Sequence, residues 1–255
     1  MLSRSSSGVL FLLALLLSPA VPARDAPAEP TAEQLQKAKA DYAKIGATYE
    51  AVTDPQTRRV AHSFRLSPKT QDTDLKKLPN PPFSFALFLS ETKVTDAGLK
   101  ELKHLENLTT LGLTQVTDAG LKELKDLENL TSLYLFGTQV TDAGLKELKH
   151  LKNLTSLNLW GTQVTDAGLK ELKDLKTLTS LNLTNTQVTD AGLKELKEFK
   201  NLTSLELRRT KVTDAGLKEL KDLKNLTALG LQGTKVTAAG LKELKEALPK
   251  CAIER

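Results

Sequence analysis

Residues able to carry nucleophilic, acid–base or metal chemistry are few and scattered. The 255-residue chain has one cysteine, Cys251, and three histidines, His62, His104 and His150. A thiol becomes a nucleophile only beside a base or a positive centre, and the pattern around Cys251 supplies neither. A single cysteine also excludes an intramolecular disulfide framework and a cysteine metal cage. His104 and His150 stand in an LKHL slot that other stretches of the chain fill with Asp or Glu, which marks a solvated face. No GxSxG, HExxH, phosphate-binding loop or paired-carboxylate cleft occurs, so the reading is no enzyme, no metal and no cofactor. The charges, 36 Lys+Arg against 31 Asp+Glu, leave too small a surplus for nucleic-acid binding. What remains is binding through surface side chains.

Those side chains are positioned by a repeat. VTDAGLKEL recurs verbatim at 94–102, 116–124, 140–148, 164–172, 188–196 and 212–220, with VTAAGLKEL at 236–244. From Val116 onward the spacing is 24 residues. Within one unit, Leu157 and Leu159 flank Asn158 with the period of two expected of a strand. Leu145, Leu148 and Leu151 follow the three-to-four spacing of a helix. A lone unit cannot bury its Leu stripe, but stacked units share one core and pair their strands in parallel. Thr141 and Asp142 fall where a helix starts, so one of them can cap free amides while the acid complements the helix dipole. Lys146, four residues after Asp142, should offset the repulsion within an Asp column. One carboxylate per coil is too little for a calcium ladder.

The LxxLxLxxT run and the copy number resemble the leucine-rich repeat, with Thr where that family usually places Asn or Cys. The resemblance covers residues 67–255 and implies a right-handed α/β solenoid, with a parallel sheet on the concave face and short helices on the convex face. It also implies that ligands meet the concave face. The TDAGL units are similar to the cysteine-containing repeats of F-box ubiquitin-ligase subunits. The export-type leader and the Thr at the family's Cys position argue against that role, and the closer likeness is to exported bacterial leucine-rich repeat proteins. The first unit is degenerate, the second is two residues short after Leu113, and the last strand is expected near 251–253 with Cys251 turned into the core.

On the concave face, the residue between the two strand leucines reads Phe88, Gly112, Tyr134, Asn158, Asn182, Glu206, Gly230. The next outward position reads Ser90, Phe136, Trp160, Thr184, Arg208, Gln232, with a gap in the short unit. These columns vary while the convex ones hardly do. Phe88, Tyr134, Phe136 and Trp160 are therefore expected as solvent-facing apolar contacts. Glu206, Arg208 and Arg209 should form a charged patch, with Asn158 and Asn182 between the two groups. The composition is that of a protein-binding hot spot. The alternative is a glycan site, with Trp160 and Tyr134 stacking on sugar rings and the asparagines bonding hydroxyls. Six N-x-[ST] triplets, at Asn107, Asn129, Asn153, Asn182, Asn201 and Asn225, are explained by repetition and turn chemistry.

Ahead of the repeats, residues 1–23 resemble a secretory signal peptide: Arg4, the apolar run 9–17, then small residues before a cleavage point after Ala20 or Ala23. Nine apolar residues fall short of the roughly 20 that span a bilayer, so the mature chain is expected to be secreted or periplasmic, outside the membrane, and a monomer. Residues 24–32 read as a Pro/Ala-rich linker. Residues 33–66 read as a cap, one amphipathic helix and two strands joined at TDPQ, with His62 as a structural side chain.

Overall fold

The computed structural model describes residues 29–53 and 58–255. The leader, most of the linker and most of the TDPQ turn lie outside the described residues.

Helix α1, Ala32–Lys44, starts at Thr31, whose side chain accepts from the Gln34 amide while Gln34 reaches back to the Thr31 amide. This reciprocal cap satisfies two amides that the helix itself leaves free. The chain leaves α1 through Gly46 at φ +75°. Strands β1, Thr48–Thr53, and β2, Val60–Arg65, pair antiparallel. Tyr42 stacks on Phe64 with centroids 3.9 Å apart and meets Phe85 edge-on, so this segment closes one end of the leucine core. His62 is buried, with Nδ1 2.7 Å from the Tyr49 hydroxyl.

From β2 onward every pairing is parallel and sequential. The strands are β3 (Phe85–Phe88), β4 (Leu108–Gly112), β5 (Ser132–Tyr134), β6 (Ser156–Asn158), β7 (Ser180–Asn182), β8 (Ser204–Glu206), β9 (Ala228–Gly230) and β10 (Ala252–Glu254), in one ten-stranded sheet. Equivalent leucines face each other across it, Leu133 with Leu157 and Leu157 with Leu181. Each return segment opens with a helical turn: α2 (Asp72–Leu75), α3 (Asp96–Leu99), α4 (Asp118–Leu121), α5 (Asp142–Leu145), α6 (Asp166–Glu171), α7 (Asp190–Leu193), α8 (Asp214–Leu217) and α9 (Ala238–Ala247). Leu145, Leu148, Leu151, Leu154, Leu157 and Leu159 are all essentially inaccessible and belong to one continuous core. Cys251 lies at the end of that core, where burial pushes its thiol pKa up.

The acid of TDAGL does more than complement a helix. Asp142 Oδ1 accepts the Thr165 amide at 2.8 Å, and Oδ2 accepts the Thr165 hydroxyl at 2.6 Å. The same double clasp joins Asp72 to Thr95, Asp96 to Thr117, and so on to Asp214 and Thr237. The Asp column is thus held by donors on the next coil, and no ion pair forms between Asp142 and Lys146. The Thr hydroxyl also accepts from its own helix, Thr165 from the Ala167 amide at 3.3 Å. Gly168 is required because a Cβ there would overlap Asp142 Oδ1.

Both ends of the array obey this logic. In the first coil Gln71 and Asp74 replace the Thr and the Gly, since no earlier Asp needs a donor or the room. In the coil after the last clasp, that of Asp214 with Thr237, Ala238 stands where the earlier coils have Asp. The repeated asparagines are similarly occupied: Asn153 Nδ2 donates to the Glu128 carbonyl and Asn201 Nδ2 to the Lys176 carbonyl, both at 2.9 Å on the preceding coil.

Candidate functional site

Alternation along each strand sends Leu157 into the core and Ser156 and Asn158 to the concave side. The row that sequence reading passed over is the first one, Thr110, Ser132, Ser156, Ser180 and Ser204. These small hydroxyl side chains leave the sheet surface low, so larger neighbours can lie down on it. A column of Ser two residues before the variable column was the available signal.

Phe88 uses that room. Its ring lies over Gly112, where a Cβ would come within 2.5 Å of Phe88 Cδ1. It thereby reaches Tyr134 on β5, with centroids 6.3 Å apart, while the Arg65 guanidinium covers it at 5.5 Å. Phe88 and Tyr134 are consequently 3% and 0% exposed, in a small apolar cluster with Ala86, separate from the leucine core. The expectation that both face solvent is corrected: their column is right, but the glycine on the intervening strand lets them fold onto each other. Burial pushes the Tyr134 phenol pKa up to about 12, against the opposing pull of Ser132 and Ser156.

The asparagines are also engaged. Asn158 Oδ1 accepts the Trp160 amide and Asn182 Oδ1 accepts the Thr184 amide, each at 2.9 Å, which are Asx-type turns that end the strands. Asn158 is buried and Asn182 half-buried, so Asn158 is no open polar contact.

The charged patch is a closed network. Arg208 Nε lies 2.9 Å from Glu206 Oε2, and its Nη2 donates to Glu254 Oε2 at 2.6 Å, where Gln232 Nε2 also donates at 3.1 Å. Gly230 makes it possible, since a Cβ there would overlap the Glu206 carboxylate. Burial raises the Glu206 pKa, and Arg208 opposes the rise. Glu254 was missed in sequence because it lies in the last strand, beyond the final TAAGL unit. Arg209 stands apart from this network, exposed, at φ +56°.

What stays open is the outer column. Trp160 is 49% exposed and is the exposed large hydrophobic side chain among the described residues. Its ring stacks on Phe136 with centroids 6.2 Å apart and planes 23° from parallel. Phe136 is half-buried against the Phe88–Tyr134 cluster, so the pair is a firm platform with one face in water. Beside it run Gly137 and Gly161, both at positive φ. They leave a bare lane along the strand ends. The arrangement can accept an apolar or planar group.

Comparison with protein families agrees with the coil geometry. A model for two tandem leucine-rich repeats matches residues 128–171, and a single-repeat model matches 174–197 and 200–221. The chain carries leucine-rich repeats. Among solved structures, this leucine-rich repeat chain is similar to internalin C2 of Listeria monocytogenes, at 26% identity over 75% of this chain and 80% of the other, with TM-score 0.57. It is similar in fold to the internalin inlF of the same organism, at 24% identity over 71% of this chain, with TM-score 0.55. It spans 56% of the length of that second protein. The comparison with curated proteins finds no match. Among the described residues no helix is long and apolar enough to cross a membrane.

Proposed function

We propose that this leucine-rich repeat chain is an exported, non-enzymatic scaffold that holds another protein on its concave face, with Trp160 and Phe136 as the anchor. The observation that carries this reading is the stacked pair itself. A solvent-facing tryptophan, braced by a phenylalanine and flanked by side-chain-free glycines, is the chemistry of a hot spot awaiting an apolar partner group. Arg209 supplies a free charge on the same face. Phe88, Tyr134 and Asn158 act beneath the platform as its support.

The test is a crosslinking pull-down from the native envelope fraction with the mature chain and with the Phe136→Ala/Trp160→Ala variant, analysing peptides and released sugars. A protein recovered by the first and lost by the second supports the scaffold reading. The alternative is an envelope glycan stacking on Trp160, favoured by the flat platform, and sugars lost in the variant would select it.

A further inference from the structure

The rim at the C-terminal ends of the strands gathers unopposed positive charge at its last two coils. The residue just before each buried Val of the repeat is Lys93 on the first TDAGL coil, with the acid Glu91 two residues before it, then Gln at 115, 139, 163 and 187, then Lys211 and Lys235 on the last two coils. Lys211 and Lys235 are exposed, as is Arg209 two residues before Lys211. Arg209 lies against the Lys235 coil at Gly233: its Cγ would lie 3.2 Å from a Cβ there. Among the described residues none of the three is within ion-pair distance of a carboxylate. On the convex face, by contrast, acids and bases alternate along the same LKELKDLKN run. Arg209 also occupies a left-handed turn position that other coils give to Gly137, Gly161, Asn185 and Gly233, and the first coil to Glu91; glycine takes it without steric cost.

From these features we infer that the occupant of the concave face is an extended acidic segment of a partner protein. An apolar side chain sits on Trp160, and carboxylates reach Arg209, Lys211 and Lys235. The inference rests on the concave-face reading and deepens it. Strands repeat about every 4.8 Å, so the Trp160 and Arg209 coils, two apart, lie roughly 10 Å from one another. An extended peptide advances about 3.3 Å per residue, which places the first acid three residues from the apolar anchor. One coil further, Lys235 takes a second acid one or two residues beyond it. Gln163 on the Trp160 coil and Gln187 on the coil between carry no charge to oppose the segment. The Arg208 guanidinium is already paired with Glu206 and Glu254 and adds no attraction.

A phage-displayed random dodecapeptide library, panned on the full chain and on two variants, tests this. The wild type should enrich peptides with an apolar residue followed or preceded by Asp or Glu at a separation of three. The Arg209→Gly/Lys211→Gln/Lys235→Gln variant should melt at or slightly above the wild-type temperature, keep the apolar preference and lose the acidic one. Selected peptides should bind it at least tenfold more weakly, and the gap should close as salt rises. The Lys211→Gln/Lys235→Gln variant should fall between. Enrichment of neutral or basic residues at that separation, or unchanged affinity in the triple variant, overturns the acidic assignment while leaving the platform intact. So does charge-dependent binding of heparin with no acidic peptide selected. Equal enrichment on the Phe136→Ala/Trp160→Ala variant overturns the concave-face reading, and this inference with it.

Discussion

Gly168 and Asp142 should behave as one unit although they belong to different coils. Removing the Asp142 carboxylate breaks two hydrogen bonds to an ionised acceptor, from the Thr165 amide and hydroxyl. Bonds to charged groups contribute about 1.5–3 kcal/mol each, and the half-buried setting reduces that. Asp142→Ala is therefore expected to destabilise by about 2–4 kcal/mol. Gly168→Ala pushes a methyl group into the same carboxylate and should cost about as much, because the carboxylate can move only by giving up the clasp. In the Asp142→Ala background that clash is gone. What is left is the crowding by Val164 and Leu145 at 3.0–3.1 Å, partly offset by the helix preference of Ala over Gly, about 0.5–1 kcal/mol. The loss in the double mutant should thus be smaller than the sum of the single losses by about 2 kcal/mol or more. The assay is urea unfolding of all four chains followed by circular dichroism and by the emission of Trp160, the single tryptophan. Additivity within about 0.5 kcal/mol would refute the clasp.

Other expectations are simpler. Arg209→Gly relieves a side chain at φ +56°, a conformation that costs an L-residue about 1–2 kcal/mol. Part of that gain is lost to the greater freedom of unfolded glycine, so thermal unfolding should show a rise of up to about 1 kcal/mol. Gly112→Ala displaces the Phe88 ring and should destabilise by about 1–3 kcal/mol, with the near-ultraviolet circular dichroism of the Phe88–Tyr134 cluster changed. Lys37 and Lys44, through hydrogen bonds, hold the Asp41 carboxyl at about 2. A lowered carboxylate pKa contributes stability above its unfolded value, near 3.8, and loses it as pH falls through the folded value. Carbon NMR should find Asp41 titrating near pH 2. Tyr134 has the opposite sign: its raised pKa gives stability that is complete below about pH 10 and is lost toward about 12. Ultraviolet titration should reveal a phenol that ionises only at that upper value.

The repeat was legible because the Leu spacing reports burial directly, and a core residue cannot be read any other way. The clasp was not, because Asp142 and Lys146 stand at a helical spacing that invites a local pairing, while the true partner, Thr165, is 23 residues away. The departures at Gln71, Asp74 and Ala238 carried the missing information, since each marks a coil that lacks the clasp on one side. The concave face was half legible. Period two assigns Phe88, Tyr134 and Trp160 to the same side of the sheet, but exposure depends on the next strand. Phe88 has Gly112 beside it and lies flat, whereas Trp160 stacks on Phe136 with one face open. The Glu206–Arg208 patch closes on Glu254, which lies past the last repeat signature.

The account stands or falls on whether a protein touches Trp160. An aromatic photo-crosslinking amino acid, which keeps a ring stacked on Phe136, placed at position 160, and for comparison at the exposed convex position Lys146, measures that contact in the native cell. The account predicts a discrete protein adduct from position 160 that is absent from position 146 and is lost when Phe136→Ala is added. Identical adducts from both positions, or adducts to sugar alone, would contradict it.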